Sequence, residues 1–202
     1  MAKAVRDFDR GWSRILKTLA ELKGKEVAVG LQAGDRTKDG KMDVARLGAI
    51  HEFGASIERE AGTQTIYHRI SKSGAFAKGG RFVKAKRSNF ARDVSVAGHT
   101  INIPARPFMR STFDEKNRAW QSTAQAQIGL VLDGKKDVQT MMETLGNVME
   151  GDIKRKIGDG PFTPNAPSTI RRKRSARPLI ADGHMRQSVR YVVRKRGNGR
   201  SK

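Results

Sequence analysis

Apolar positions along this chain recur at a period of three to four residues in some stretches and alternate in others, and the two rhythms divide it into elements. Val5, Phe8, Trp12, Ile15, Leu16, Leu19 and Leu22 predict a first helix from about Val5 to Leu22, stopped at Gly24. Glu26 to Leu31 alternates, with Val27, Val29 and Leu31 on one face, and predicts a strand. A polar loop leads to a short helix from Asp43 to Phe53, capped by Asp43 and ended by Gly54. Strand character returns at Thr63 to Ile70 and at Thr100 to Ile103. Pro104 and Pro107 then force an extended turn. Thr112 and Glu115 have capping-box spacing, and the helix they open carries Phe113, Trp120, Ala124, Ile128 and Val131 on its apolar stripe. Asp133-Gly134 breaks it. The clearest helix follows, Asp137 to Ile157, with Val138, Met141, Met142, Leu145, Val148, Met149, Ile153 and Ile157 in one stripe. Near the C-terminus, a basic helical turn opens at Pro167-Ser168 and a tight turn falls at Asp182-Gly183. The strand Ser188 to Val193 then sets Val189, Tyr191 and Val193 opposite Arg190, Val192 and Arg194.

This order predicts an α+β fold, with a small mixed or antiparallel sheet packed by helices. The first helix, the long helix pair and the inward strand faces are expected to supply the core. Residues 1–193 are expected to form one domain, interrupted by an insertion at 71–98 and followed by a basic tail at 194–202. The insertion is rich in Gly, Ser, Lys and Arg, offers only Phe76, Phe82, Val83 and Phe90 for burial, and reads as an extended basic hairpin arm.

Charge sharpens that division. The chain has 202 residues and a net charge of +21. Ser71–Arg92 holds seven basic residues and no acid, and Arg171–Lys202 holds twelve against the single Asp182, so these two segments carry +18 of the total. Charge this concentrated implies an anionic partner, either nucleic acid or an acidic protein face. The candidate contacts are Lys84, Lys86 and Arg87 in the arm, Arg171, Arg172, Lys173 and Arg174 in the basic turn, and Arg194, Lys195 and Arg196 in the tail.

Catalytic patterns are missing from the sequence. With no cysteine there is no thiolate nucleophile or thiolate zinc site, and the simplest expectation is assembly in a reducing cytoplasm. His51, His68, His99 and His184 have no second histidine at helical spacing, so no metal site is expected. No serine sits in a nucleophile elbow, and no glycine run matches a phosphate-cradling loop. The expectation is a protein that is not an enzyme and takes no cofactor. No apolar run is long enough for a membrane span, and the N-terminus lacks a signal-peptide core.

Three blocks in order narrow the reading: Ala49-Ile50-His51-Glu52-Phe53-Gly54-Ala55, then Ile103-Pro104-Ala105-Arg106-Pro107-Phe108-Met109-Arg110, then Pro167 to Val193. Together they resemble the neck and tail-completion (head–tail joining) proteins of long-tailed bacteriophages. The resemblance covers about Val27–Gly54 and Asn102–Val193, with the arm a departure from it. It implies a structural virion protein, assembled in the host cytoplasm as a six- or twelve-membered ring of itself around the DNA channel. Its implied partners are the portal/connector or a head-completion protein, the tail terminator or tail tube protein, and channel DNA; no membrane or catalytic residue is implied. His51 and Glu52 read equally as a polar rim or as a subunit contact. Arg106 and Arg110 are candidates for an inter-subunit salt bridge, while Pro104, Pro107 and Phe108 read first as folding residues. The alternative is a basic nucleic-acid-binding protein without a catalytic site, although no recognition helix, zinc finger or aromatic RNA-binding strand is legible.

Overall fold

The structure, a computed structural model, describes residues 11–197. The fold is α+β, and the chain divides into two compact units, Met1–Gly54 with Pro104–Lys202, and Ala55–Ile103. The expected single domain with a 71–98 insertion is thus redrawn, because the inserted unit begins and ends well outside those bounds.

In the first unit, here called the body, the elements are α1 (Trp12–Lys23), β1 (Lys25–Leu31), α2 (Val44–Phe53), α3 (Phe108–Leu132), α4 (Val138–Asp159), α5 (Pro167–Lys173), α6 (His184–Gln187) and β6 (Val189–Lys195). β1 and β6 form a two-stranded antiparallel sheet that sets Val27 against Val193, Val29 against Tyr191 and Leu31 against Val189. The alternation read from sequence thus lands on one face, and α4 packs against both strands. Gly146 on α4 permits that closeness, and Gly48 does the same for α2 against β1. A Cβ at Gly146 would lie 2.4 Å from the Tyr191 ring, and one at Gly48 would lie 2.1 Å from Leu31 Cδ1.

α3 and α4 run antiparallel, since Lys156 pairs with Glu115, Asp152 accepts from Trp120 Nε1 at 2.8 Å, and Lys136 reaches Gln127 at 2.6 Å. Asp137 caps α4 by accepting from the Thr140 amide at 2.8 Å. One core cluster joins Val44, Phe108, Ile153, Ile157, Leu179, Met185 and Val189; a second joins Val131, Val138, Met141 and Met142. No helix among the described residues is long and apolar enough to cross a membrane.

Several expectations of the core need correction. α1 buries no residue completely, and Trp12, Leu16 and Leu19 are all exposed. Its half-buried side is the narrow stripe of Ile15, Thr18 and Leu22, and the expected start at Val5 lies outside the described residues. Phe113 and Val148 also face outward. The capping box at Thr112 does not form. α3 begins four residues earlier, and the Thr112 hydroxyl donates to the Phe108 carbonyl one turn back at 2.6 Å. The C-terminal strand reaches Lys195, so Arg194 and Lys195 belong to the sheet rather than to a free tail.

The second unit is a ribbon. β2 (Ala55–Arg59) pairs with β5 (His99–Ile103), and β3 (Gly62–His68) pairs with β4 (Phe90–Val96) in the same continuing register. The segments 63–70 and 100–103, expected in the body's sheet, are here instead. Their composition explains it: Thr63, Gln64 and Thr65 face Ser95, Val94 and Asp93, so neither face carries an unbroken apolar row to lay on a helix. Cross-strand polar pairs hold it, Thr65 Oγ1 to Asp93 at 2.6 Å and Ser56 Oγ to Asn102 at 2.9 Å.

Candidate functional site

The two sequence blocks meet in the body. The chain leaves α2 through Gly54, whose φ of 77° suits glycine, and re-enters α3 through Pro104 and Pro107. Where it returns, the Arg106 amide donates to the His51 carbonyl at 2.6 Å. Pro107 precedes α3 and has no capping side chain, so the first amides of that helix need an acceptor from elsewhere. Glu52 supplies it. Its two carboxylate oxygens accept from the Met109 amide at 2.9 Å and the Arg110 amide at 3.0 Å, and Arg110 Nε adds a contact at 3.3 Å. A carboxylate at a helix N-terminus also opposes the positive end of the helix dipole. Arg110 remains mostly exposed, with its guanidinium 5.3 Å from the centre of the Phe53 ring.

Arg106 points inward. Only 4% exposed, it donates through Nε to the Thr163 carbonyl at 3.0 Å and through a terminal nitrogen to Asn165 Oδ1 at 3.2 Å. Asn165 passes the connection on to the carbonyls of Arg177 and Pro178, and Lys173 Nζ also reaches the Pro178 carbonyl at 2.9 Å. The third block is therefore tied to the second by a chain of side-chain hydrogen bonds. Glu52, read equally as polar rim or subunit contact, and Arg106, a candidate for an inter-subunit salt bridge, are both buried with intrachain partners; of the four candidates, Arg110 offers the most open charge. Burial, with the Arg106 and Lys173 charges adding to it, pushes His51 down to about 4, so its ring is neutral at pH 7. Its Nδ1 is buried without a partner. Burial also lowers Arg106 and Lys173 from their ordinary values.

The anionic-partner candidates divide into three groups. Arg171, Arg172 and Arg174 are exposed on or just after α5, whereas Lys173 turns back into the network. Arg194 pairs with Glu26 at 2.7 Å; Lys195 lies opposite Lys25 in the sheet, and the Arg196 amide donates to the Gly24 carbonyl at 2.8 Å. Residues 198–202 of the expected tail lie outside the described residues. Lys84, Lys86 and Arg87 form the third group, exposed around a short 3-10 turn at Ala85–Arg87 near the end of the ribbon.

That end is organised by aromatic rings. His68, 4% exposed, has Phe76 and Phe82 against it, with ring centres 4.9 and 5.1 Å away, and Phe90 meets Phe76 at 6.1 Å. Asn89 clamps the loop by accepting from the Ile70 amide and donating to the Ile70 carbonyl, both at 2.7 Å. Neither the Glu52 cap nor this cluster was legible in advance. The surplus phenylalanines in a polar insertion were the signal for the second; the proline preceding Phe108, which leaves α3 without its own cap, was the signal for the first.

Among the described residues no group of three or more His, Asp or Glu side chains is placed to hold a metal ion. A shallow cleft of about 220 Å³ between α3 and α4 is lined by polar groups already paired with each other, Lys156 with Glu115 and Arg155 with Asp152. No protein-family model, curated protein or solved structure matches this chain.

Proposed function

We propose that this chain is a structural virion protein of a tailed-phage neck, joining the head connector to the tail or completing the tail end. In this reading it acts as a ring of identical subunits around the DNA channel, bound to a portal or head-completion protein on one side and a tail terminator or tube protein on the other. It does so without catalysis or cofactor. The observation that carries the reading is the Glu52 junction. Blocks some fifty residues apart, which supply the resemblance, converge on one cap, and the third block joins them through Arg106 and Asn165. A motif that closes a scaffold in this way suits an assembly subunit, and the polar groups it contains are engaged in bonding rather than poised for reaction. Exposed Arg171, Arg172 and Arg174 suit the acidic face of an adjoining ring, where bidentate contacts form without gripping the DNA that must slide past.

Deleting the gene from the encoding phage tests the reading. The expected result is DNA-filled heads and separate, unjoined tails. Normal infectious particles, or an arrest at DNA replication, would overturn it.

A further inference from the structure

We propose that the end of the ribbon, Arg69 to Arg92, is a binding element for duplex DNA that grips phosphates without reading sequence and sets Phe82 against the groove. From Arg69 to Arg92 the sequence has eight basic residues and no acid. Arg69, Arg81, Lys84, Lys86, Arg87 and Arg92 are exposed, and none forms an ion pair with a described carboxylate. The nearest acid on the ribbon, Asp93, already accepts from Thr65. In the body Lys25, Lys154, Lys156 and Arg194 have carboxylate partners, although Arg171, Arg172 and Arg174 have none among the described residues. Cations left unpaired over a whole loop repel each other, and a dense polyanion relieves that repulsion.

Shape selects among polyanions. A two-stranded antiparallel ribbon fits a groove of B-form DNA, and the five residues of β2 and seven of β3 amount to about 40 Å of extended strand. Phe82 is 71% exposed although its ring meets that of His68 at 5.1 Å, so most of the ring is free to meet sugar or a base step as an apolar wedge. Single-stranded nucleic acid fits less well, because it needs successive aromatic platforms free to stack, and Phe76 and Phe90, although partly exposed, are packed, Phe76 on His68 and the two on each other. The Asn89 amide is not available to read adenine, since it is engaged at Ile70. The same segment of a second copy is disfavoured as its occupant, because it would set eight further cations against these. A contact made of a few phosphate pairs exchanges readily, so DNA can still slide along it.

The test uses the full chain and a labelled duplex of about 30 base pairs of arbitrary sequence, titrated at salt between about 50 and 200 mM. The variant Lys84→Ala/Lys86→Ala/Arg87→Ala is expected to lose on the order of ten-fold in affinity at the lower salt and to flatten the log K against log salt slope by about 2 to 3. The variant Arg171→Ala/Arg172→Ala/Arg174→Ala removes the same charge from the body and is expected to change the slope by less than half as much. Lys84→Arg/Lys86→Arg should bind as the parent does, and Phe82→Ala should weaken binding with the slope unchanged. Equal effects of the two triple variants, or a ribbon variant with parental affinity and slope, would overturn the proposal. So would tighter binding of the parent to a single strand of the same length, or to polyglutamate at equal charge. None of these outcomes depends on the neck reading, which stands or falls with the deletion phenotype.

Discussion

The junction around Glu52 and the ribbon end around His68 each bury a histidine with an unpartnered ring nitrogen, yet they are built on opposite plans. At the junction, polar groups close on one another: the carboxylate caps a helix, Arg106 bonds to Thr163 and Asn165, and three distant segments become one piece. At the ribbon end, rings do the closing, and Arg69, Arg81, Lys84, Lys86, Arg87 and Arg92 are exposed. The contrast teaches where to look for partners. Polar residues that satisfy each other make the scaffold, while cations with no carboxylate nearby mark the surface that something else completes.

The comparison breaks first, and hardest, on the hydrophobic core. Phe108 is 1% exposed and sits between α2 and α4, so Phe108→Ala should destabilise the body by about 3–5 kcal/mol in chemical denaturation. Phe90→Ala on the ribbon, where the ring is already partly exposed, should leave that midpoint far less changed. Equal losses would mean that the two units fold as one.

Next in size is the cap. Glu52→Ala leaves the Met109 and Arg110 amides without their acceptor and is expected to cost about 2–3 kcal/mol. A change within 0.5 kcal/mol, the range of ordinary surface substitutions, would remove Glu52 from the account.

A smaller effect comes from pH. The His51 pKa falls from 6.5 to about 4 on folding, chiefly through burial, with the Arg106 and Lys173 charges adding to it. Below 6.5 the unfolded chain takes up a proton that the folded chain refuses. The stability present above that pH is therefore lost as pH falls towards about 4, roughly 1–3 kcal/mol in all. Asp43 and Asp137 are held below 3.8, by hydrogen bonds from the Gly34 amide and from Thr140 respectively, so their own acid loss begins only below that value. His51→Asn should flatten the limb between pH 6.5 and 4 and leave the lower one unchanged. A limb of the same slope in the variant would assign the effect to another group. The smallest expected effect is that of Ile101→Thr, an exposed ribbon position opposite Ile57, which should stay within about 0.5 kcal/mol.

Much of the body was legible because its periods are clean. β1, α2 with its Asp43 cap, α4 and the inward faces of β1 and β6 all follow from spacing in the sequence. The failures share one cause, which is that period tells which residues could be buried but not whether a neighbour exists to bury them. α1 has a strong apolar stripe, yet Trp12, Leu16 and Leu19 stay exposed in the isolated chain, and Phe113 does the same on α3. The strands expected at 63–70 and 100–103 were placed in the wrong sheet, and β2 and β4 were missed, because alternation does not name a partner strand; only register does. The candidate site was half legible. The blocks were recognisable, but the burial of Glu52 and Arg106 depends on contacts across more than fifty residues, which local spacing does not carry.

Native-state hydrogen exchange on the full-length chain tests the central contrast most directly, because it reads the closed body and the open ribbon in one experiment. The account predicts that the Met109 and Arg110 amides, held by Glu52, and the paired amides of β6 exchange only with global unfolding. The hydrogen-bonded amides of β3 and β4 should exchange at least about a hundred-fold faster, through local opening of a two-stranded ribbon, which is only marginally stable by itself. Ribbon amides protected to the same level as those of β6, or Met109 and Arg110 amides exchanging as fast as the ribbon, would contradict it.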